Sequence, residues 1–307
     1  MYLLLWIFFV YAFLGWCTEV SFAALTSGRF VNRGFLNGPV CPIYGVGVVI
    51  VLFFLDPLRG NTFLLFLGSV LLTSLLEWVT GFVLEKIFHQ RWWDYSNEPF
   101  NLGGYICLRF SIAWGLACLF VVEIIHPSIL WLIHLIPHTL GLVLLALFSA
   151  GMLVDLAATV RTIARMNRQL TQLDELAGRI KALSNELGVN LAERVIDAAE
   201  LGSGLREDIQ ENLEDAKDVL AQRREDLQDS LEDMKESLAA RRMQYQMDQA
   251  ERLEQRQRDL AELRTKLEAV MARPIFGQRR LMRAFPKMRS TTHAQALERL
   301  RQRMEKR

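Results

Sequence analysis

Apolar residues fill five stretches of the first 160 positions almost without interruption, then thin to one residue in every three or four. A helix crossing a bilayer core needs about 20 predominantly apolar residues. Stretches 3–25, 39–55, 62–84, 106–125 and 139–160 meet or approach that length. The pattern predicts an all-α fold: a polytopic membrane bundle of five transmembrane helices in residues 1–160, followed by a helical tail. The first stretch is too long for a cleavable signal peptide, lacks a basic start, and carries Trp16 and Glu19 where a small-residue cleavage site would lie. Segment 128–136 is apolar but short and ends at Pro137, so it is expected to lie at the outer interface rather than form a sixth span.

Beyond Asp155 the spacing changes. Met166, Leu170, Leu173, Leu176, Ile180, Leu183 and Leu187 step by threes and fours, which predicts a first helical segment over 161–201, broken by Gly202-Ser203-Gly204. A second run, 205–273, repeats Leu205, Ile209, Leu213, Ala216, Leu220, Leu227, Leu231, Met234 and Leu238, then Leu253, Leu260, Leu263, Leu267 and Val270, with both signs of charge on its other faces. That predicts a coiled-coil-like helix needing a partner: the first tail helix, a second copy in a homo-oligomer, or another protein. Arg223, Arg241 and Arg256 interrupt its seam. Pro274 ends the run. Segment 274–307 interleaves basic and apolar residues, and could dock on anionic lipid, fold back onto loops of the membrane part, or remain a solvated linker.

Charge divides the chain at the same place. Residues 1–160 hold six Lys/Arg and eight Asp/Glu, residues 161–307 twenty-nine and twenty-six, so neither half offers the field that nucleic-acid binding requires. Loop charge orients the bundle: Arg29, Arg33, Lys86 and Arg91 lie on the tail's side, with Arg59 opposite. The positive-inside rule therefore predicts a multi-pass cell-membrane protein with Met1 outside and the tail cytoplasmic. Cys17, Cys41, Cys107 and Cys118 lack C-x-x-C or His-ligand spacing and read as small buried hydrophobes; no metal or cofactor is expected.

Ionisable residues inside a span are expensive, at roughly 2.5–3.5 kcal/mol each on insertion scales. Glu19, Glu77 and Asp155 fall at positions 17, 16 and 17 of the first, third and fifth predicted spans, all at one depth. Arg109 enters the fourth span from the same side, and Glu85 ends the third. Snorkelling with structural ion pairs explains such an arrangement, and so does a polar vestibule open to the cytoplasm. Two Gly-rich loops lead into spans two and four, one with Arg33 and Asn37 and the other with Asn101, each after a span carrying a Glu. That suggests a weak parallel repeat of two hairpins. Between spans three and four, Arg91, Trp93, Asp94 and Tyr95 combine an interfacial aromatic belt with groups able to grip a charged head group.

Gly15-Trp16 with Glu19, Asn32-Arg33-Gly34, Gly38-Pro39, Cys41-Pro42-Ile43-Tyr44-Gly45, Glu77, Leu84-Glu85-Lys86, Trp92-Trp93-Asp94-Tyr95-Ser96, Gly104, Ile106-Cys107-Leu108, Ser111 and Trp114-Gly115 occur in order. Through these strings residues 4–160 resemble the bacterial proteins grouped as putative ABC-transporter type IV, or putative ABC transporter permeases. The resemblance implies a permease served by a separate ATPase. The chain has no G-x-x-x-x-G-K-[ST], so ATP hydrolysis would have to come from another subunit. With no catalytic motif the chain is not expected to be an enzyme. The order of expectation is a permease component, then a membrane-anchored scaffold or regulator acting through the tail, then an enzyme modifying lipid head groups.

Overall fold

The computed structural model describes residues 1–215 and 224–305. Helix α1 (Tyr2–Ser27) ends at Gly28, whose φ of 67° is the left-handed conformation that glycine adopts without steric cost. Helix α2 (Pro42–Leu55) returns beside it and α3 (Thr62–Phe88) follows, its start capped by Asn61, which accepts from the Leu64 N–H. Helix α4 (Leu108–Phe120) passes through one π-turn, Val121–Ile125, into α5 (His126–His134). Among the described residues four helices are long and apolar enough to cross a membrane: Tyr2–Ser27, Thr62–Phe88, Leu108–His134 and the first part of α6 (His138–Asp215).

Two expectations change here. Segment 128–136 is not a separate piece, because its residues to His134 continue the apolar helix that begins at Leu108. Pro127 would clash with a carbonyl one turn back, and the π-turn immediately before it absorbs that clash without ending the helix. The second apolar stretch is shorter than the other four: Pro42–Leu58, including a 3₁₀ turn at Asp56–Leu58, falls below a full crossing. Its start is set by Pro42 in the first helical turn and by the Cys41 N–H, which donates to the Ala12 carbonyl of α1 at 2.9 Å. Ala12 lies 15 residues, or roughly 22 Å, from the α1 terminus at Ser27. Residues 28–41 therefore travel back along α1 as non-helical chain before α2 begins.

The second hairpin repeats this design. After α3 come β1 (Gln90–Arg91), β2 (Asn101–Leu102) and β3 (Ile106–Cys107), with β2 and β3 paired antiparallel. Ser74 of α3 donates to Ser111 of α4 at 2.7 Å, and Tyr105 and Trp93 lie against Gly81, so α4 also starts well inside the length of α3. Cys41 and Cys107 are the respective N-cap residues of α2 and α4, and both are buried. All four cysteines are free thiols.

Small residues let these helices approach. A Cβ on Gly45 would strike the Phe8 carbonyl oxygen, and one on Gly115 the Val70 side chain. Trp6, Ile7, Phe9 and Tyr11 of α1 form one core with Ile133 of α5 and Leu145 of α6. Val51, Leu55, Leu65 and Val122 form another. Many large apolar side chains elsewhere point outward, among them Phe53, Phe63, Leu71, Leu147 and Val154, as a lipid-facing surface requires.

The chain divides into two compact units, one of residues 1–171 with 273–307 and the other of 172–272. The terminal segment of the first unit contains α8 (Gln278–Ala284), β4 (Arg289–Ser290) and α9 (Ala294–Glu305). Strand β4 pairs antiparallel with β1, Gln90 opposite Ser290 and Arg91 opposite Arg289. Of the three placements open for this segment, folding back is the one observed.

In the second unit α6 runs on through Gly188 and Gly202-Ser203-Gly204, where the sequence predicts a break. Glycine in a helix costs only about 1 kcal/mol per residue, which neighbouring good helix formers offset. Helix α7 (Arg224–Ala272) follows. Its Leu253, Leu260, Leu263, Leu267 and Val270, and Leu173, Leu176, Ile180, Leu183 and Leu187 of α6, are partly or fully withdrawn from water. The seam positions from Leu205 to Met234 have side chains outside the described residues.

Replacing Gly45 with valine is expected to destabilise the first hairpin by about 1–3 kcal/mol, the usual cost of overpacking, because Phe8 offers backbone rather than a movable side chain. Thermal unfolding in detergent checks this, with Gly60→Val as the control, since nothing lies within 4 Å of a Cβ there.

Candidate functional site

Non-helical backbone inside an apolar layer leaves N–H and C=O groups that must find partners in protein. The loop before α2 finds them in side chains. The Asp155 carboxylate accepts from the Asn37 N–H at 3.1 Å, the Asn37 side-chain amide at 2.7 Å and the Gly38 N–H at 2.7 Å. Thr159, one turn further along α6, accepts from the same amide at 3.1 Å. Asn32 closes the loop on itself, accepting from the Trp16 indole and the Gly34 N–H and donating to the Asn37 carbonyl. Asp155 is thus committed to holding the loop.

Glu19 faces the other side of this loop. Its Oε2 lies 2.9 Å from Arg33 Nε, an ion-pair contact not aligned as a hydrogen bond, and its Oε1 accepts from the Tyr44 hydroxyl at 2.6 Å. Arg33 also sits over the Phe22 ring at 5.3 Å. In the second hairpin the Tyr95 hydroxyl donates to Glu77 Oε1 at 3.3 Å, while Glu77 Oε2 is buried and has no partner among the described residues. Each hairpin thus returns a tyrosine to the carboxylate of its first helix. Tyr44 comes from α2 and Tyr95 from the loop.

A third group forms where α3 ends. Arg91 Nε is 2.9 Å from Glu85 Oε2, its guanidinium lies 4.7 Å from the Tyr105 ring centroid, and the Tyr105 hydroxyl donates to the same carboxylate at 2.8 Å. Asp94 accepts from the Ser96 N–H and hydroxyl, and its other oxygen is 3.1 Å from Arg289 of the terminal segment. Gly104, at φ 75°, fits against this group because a Cβ there would strike Ser96, Asp94 and Arg91. The Asn101 amide donates to the Ser96 and Glu98 carbonyls, and the Trp93 indole to the Tyr105 carbonyl at 2.9 Å. Burial alone would raise the Asp94 pKa, but the Ser96 bonds and the Arg289 and Arg91 charges hold it below the usual carboxylate range.

The structure therefore gathers Glu19, Arg33, Asn37 and Asp155 about one loop and Glu77, Glu85, Arg91, Trp93, Asp94, Tyr95 and Asn101 about the other. Arg109 is exposed, over the Phe110 ring at 5.9 Å, and joins neither group. Sequence reading missed Tyr44, Asn32, Thr159, Tyr105, Arg280 and Arg289. Tyr44 and Tyr105 were legible as polar-tipped aromatics beside the glycine loops, whereas no spacing ties position 280 or 289 to residues some 200–250 earlier. Arg280 donates to the carbonyls of Gly34 at 2.7 Å and Phe35 at 3.0 Å. Burial pushes its pKa down, with Asp155 opposing. Among the described residues no group of His, Cys, Asp or Glu is placed to hold a metal ion.

Two outcomes follow. Asp155→Ala leaves two loop N–H groups without their acceptor, and should lower stability by about 2–4 kcal/mol and open residues 32–38 to proteolysis, while Asp155→Asn keeps one acceptor and costs less. Because the folded-state pKa of Asp94 is depressed, its contribution is fully present above the ordinary carboxylate value of about 3.9 and disappears as pH falls through the lower folded value. Asp94→Asn should lower Tm at neutral pH and have no effect in strong acid.

No solved structure matches the chain. A family model described as Putative ABC-transporter type IV matches residues 6–160, from the start of α1 past Asp155, and so takes in both glycine loops and all three span carboxylates. It stops short of the tail and of Arg280 and Arg289. The chain belongs to the Putative ABC-transporter type IV family.

Proposed function

We propose that this protein is the membrane component of a transport assembly, a permease-like subunit driven by a separate ATPase. The observation that carries this reading is the paired construction. In each hairpin the second helix starts part-way along the first, and the chain filling the gap lies beside an intramembrane carboxylate. Broken helices meeting at mid-depth are how secondary transporters expose backbone and charge to a substrate without exposing them to lipid. In this reading helix α2 together with residues 28–41 makes a fifth crossing, and the Lys/Arg excess around residues 29–33 and 86–91 supports a cytoplasmic tail with Met1 outside. Glu19, Glu77, Tyr44 and Tyr95 line the vestibule between the hairpins, and Arg33, Arg91 and Asp94 form its cytoplasmic rim. The chain has no nucleotide-binding motif, and family membership points to an ATPase partner.

A second reading, a membrane-anchored scaffold, is favoured by the heptad-spaced burial in the unit of residues 172–272, which suits a coiled coil within the chain or with another copy. The two readings part on the partner. Gentle solubilisation with crosslinking is expected to bring down a nucleotide-binding subunit in stoichiometric amount. Glu77→Ala and Arg91→Ala are expected to retain that subunit yet lose at least about 90% of the assembly's substrate-stimulated ATP hydrolysis. Partners that map only to residues 172–272, with both alanine variants fully active, would put the scaffold first.

A further inference from the structure

The terminal segment lies outside the family match, yet it belongs to the same compact unit as the two loops. Its contacts fall on both. Arg280 grips the first loop through the Gly34 and Phe35 carbonyls. The second loop is held by β4 on β1, by Arg289 on Asp94, and by Thr291, whose N–H and hydroxyl both donate to the His89 carbonyl at 3.1 Å. Phe285 packs edge-on against Trp92 at 5.0 Å, and Trp92 in turn against Phe35 of the first loop at 5.2 Å. Helix α6 anchors the segment from a third side: Thr162 donates to the Phe276 carbonyl, and the buried amides of Gln278 and Gln169 meet at 2.8 Å.

We propose that the tail-side faces of the two glycine loops form a receptor surface for the chain's own residues 275–301, and that this segment is a releasable latch controlling access to the vestibule.

Two features separate a latch from permanent wall, although the segment buries Leu281, Met282, Met288, Leu297 and Leu300 as well as making its polar ties. The attachment to β1 is only two residues long, and a pair that short has little stability by itself. The chain leaves this unit after Thr171 and re-enters at Arg273, so residues 172–272 are spliced between the anchoring stretch of α6 and the latch. A partner gripping that second unit acts on both ends of the latch's connection.

The latch rests on the vestibule proposed above, but its test reads thiol access rather than transport, so the two can fail separately. Cys41 and Cys107 are native reporters: both are buried at the N-caps where the loops end. In the purified full-length protein in detergent, a water-soluble maleimide should label both slowly. Arg280→Ala should speed labelling of Cys41, read peptide by peptide in a mass spectrometer, by at least about tenfold, the factor that one charge-assisted hydrogen bond is worth. A second variant, Gln90→Cys with Ser290→Cys, uses the opposed β1–β4 pair, whose spacing in an antiparallel ladder suits a disulfide. Oxidising that pair in the Arg280→Ala background should restore protection of Cys41, and reduction should remove it. Unchanged labelling in Arg280→Ala overturns the proposal. So does failure of the cysteine pair to crosslink. Labelling that rises but ignores oxidation assigns Arg280 to local support of the first loop, and the latch is then wrong.

Discussion

Asp155 holds the fold at its most demanding point. The loop before α2 runs roughly 22 Å alongside α1 as non-helical chain, and apolar surroundings supply nothing for its amides to bond. One carboxylate on α6 takes the N–H groups of Asn37 and Gly38 and the Asn37 side chain together. With the loop fixed at Gly38, the Cys41 N–H meets Ala12, Pro42 starts α2, and Tyr44 is delivered to Glu19. A half-buried carboxylate is costly without partners, and here it accepts from three donors, two of which are backbone N–H groups that would otherwise be orphans. The carboxylate and the loop each remove the other's cost.

The second hairpin solves the same problem without an equivalent of Asp155. Its loop is longer and satisfies itself, through the β2–β3 pair, the Asn101 bonds to the Ser96 and Glu98 carbonyls, and the Tyr95 N–H to the Gly104 carbonyl. Glu77 is consequently less committed. One of its oxygens bonds Tyr95 and the other is buried with no described partner, whereas Glu19 has an arginine and a tyrosine. The two hairpins share an outline and differ chemically.

Part of this was legible in the residues. Glu19, Glu77 and Asp155 stood out as carboxylates within apolar runs, and the glycine loops marked where helices would stop. The fit of Gly104 against Ser96, Asp94 and Arg91 explains one of those glycines in steric terms. Periodicity gave no partner for any carboxylate, and it divided the tail wrongly at Gly202-Ser203-Gly204, where helix continues. Local glycine content argued for a break, and the helix-forming neighbours outweighed it. Segment 128–136 failed as a separate piece for a related reason, since one π-turn allowed Pro127 to sit inside a continuing helix.

Transfer of apolar side chains out of water is nearly additive along the chain, so the sequence by itself determined which stretches are apolar enough for a membrane, where charge is excluded, and which residues violate that exclusion. Hydrogen bonds are not additive in that way. Their strength depends on angles and distances between groups far apart in the chain, such as Asn37 with Asp155 and Arg280 with Gly34. Only the tertiary structure could decide that α2 is short, that Asp155 holds a loop, and that the last thirty or so residues return to close over both hairpins.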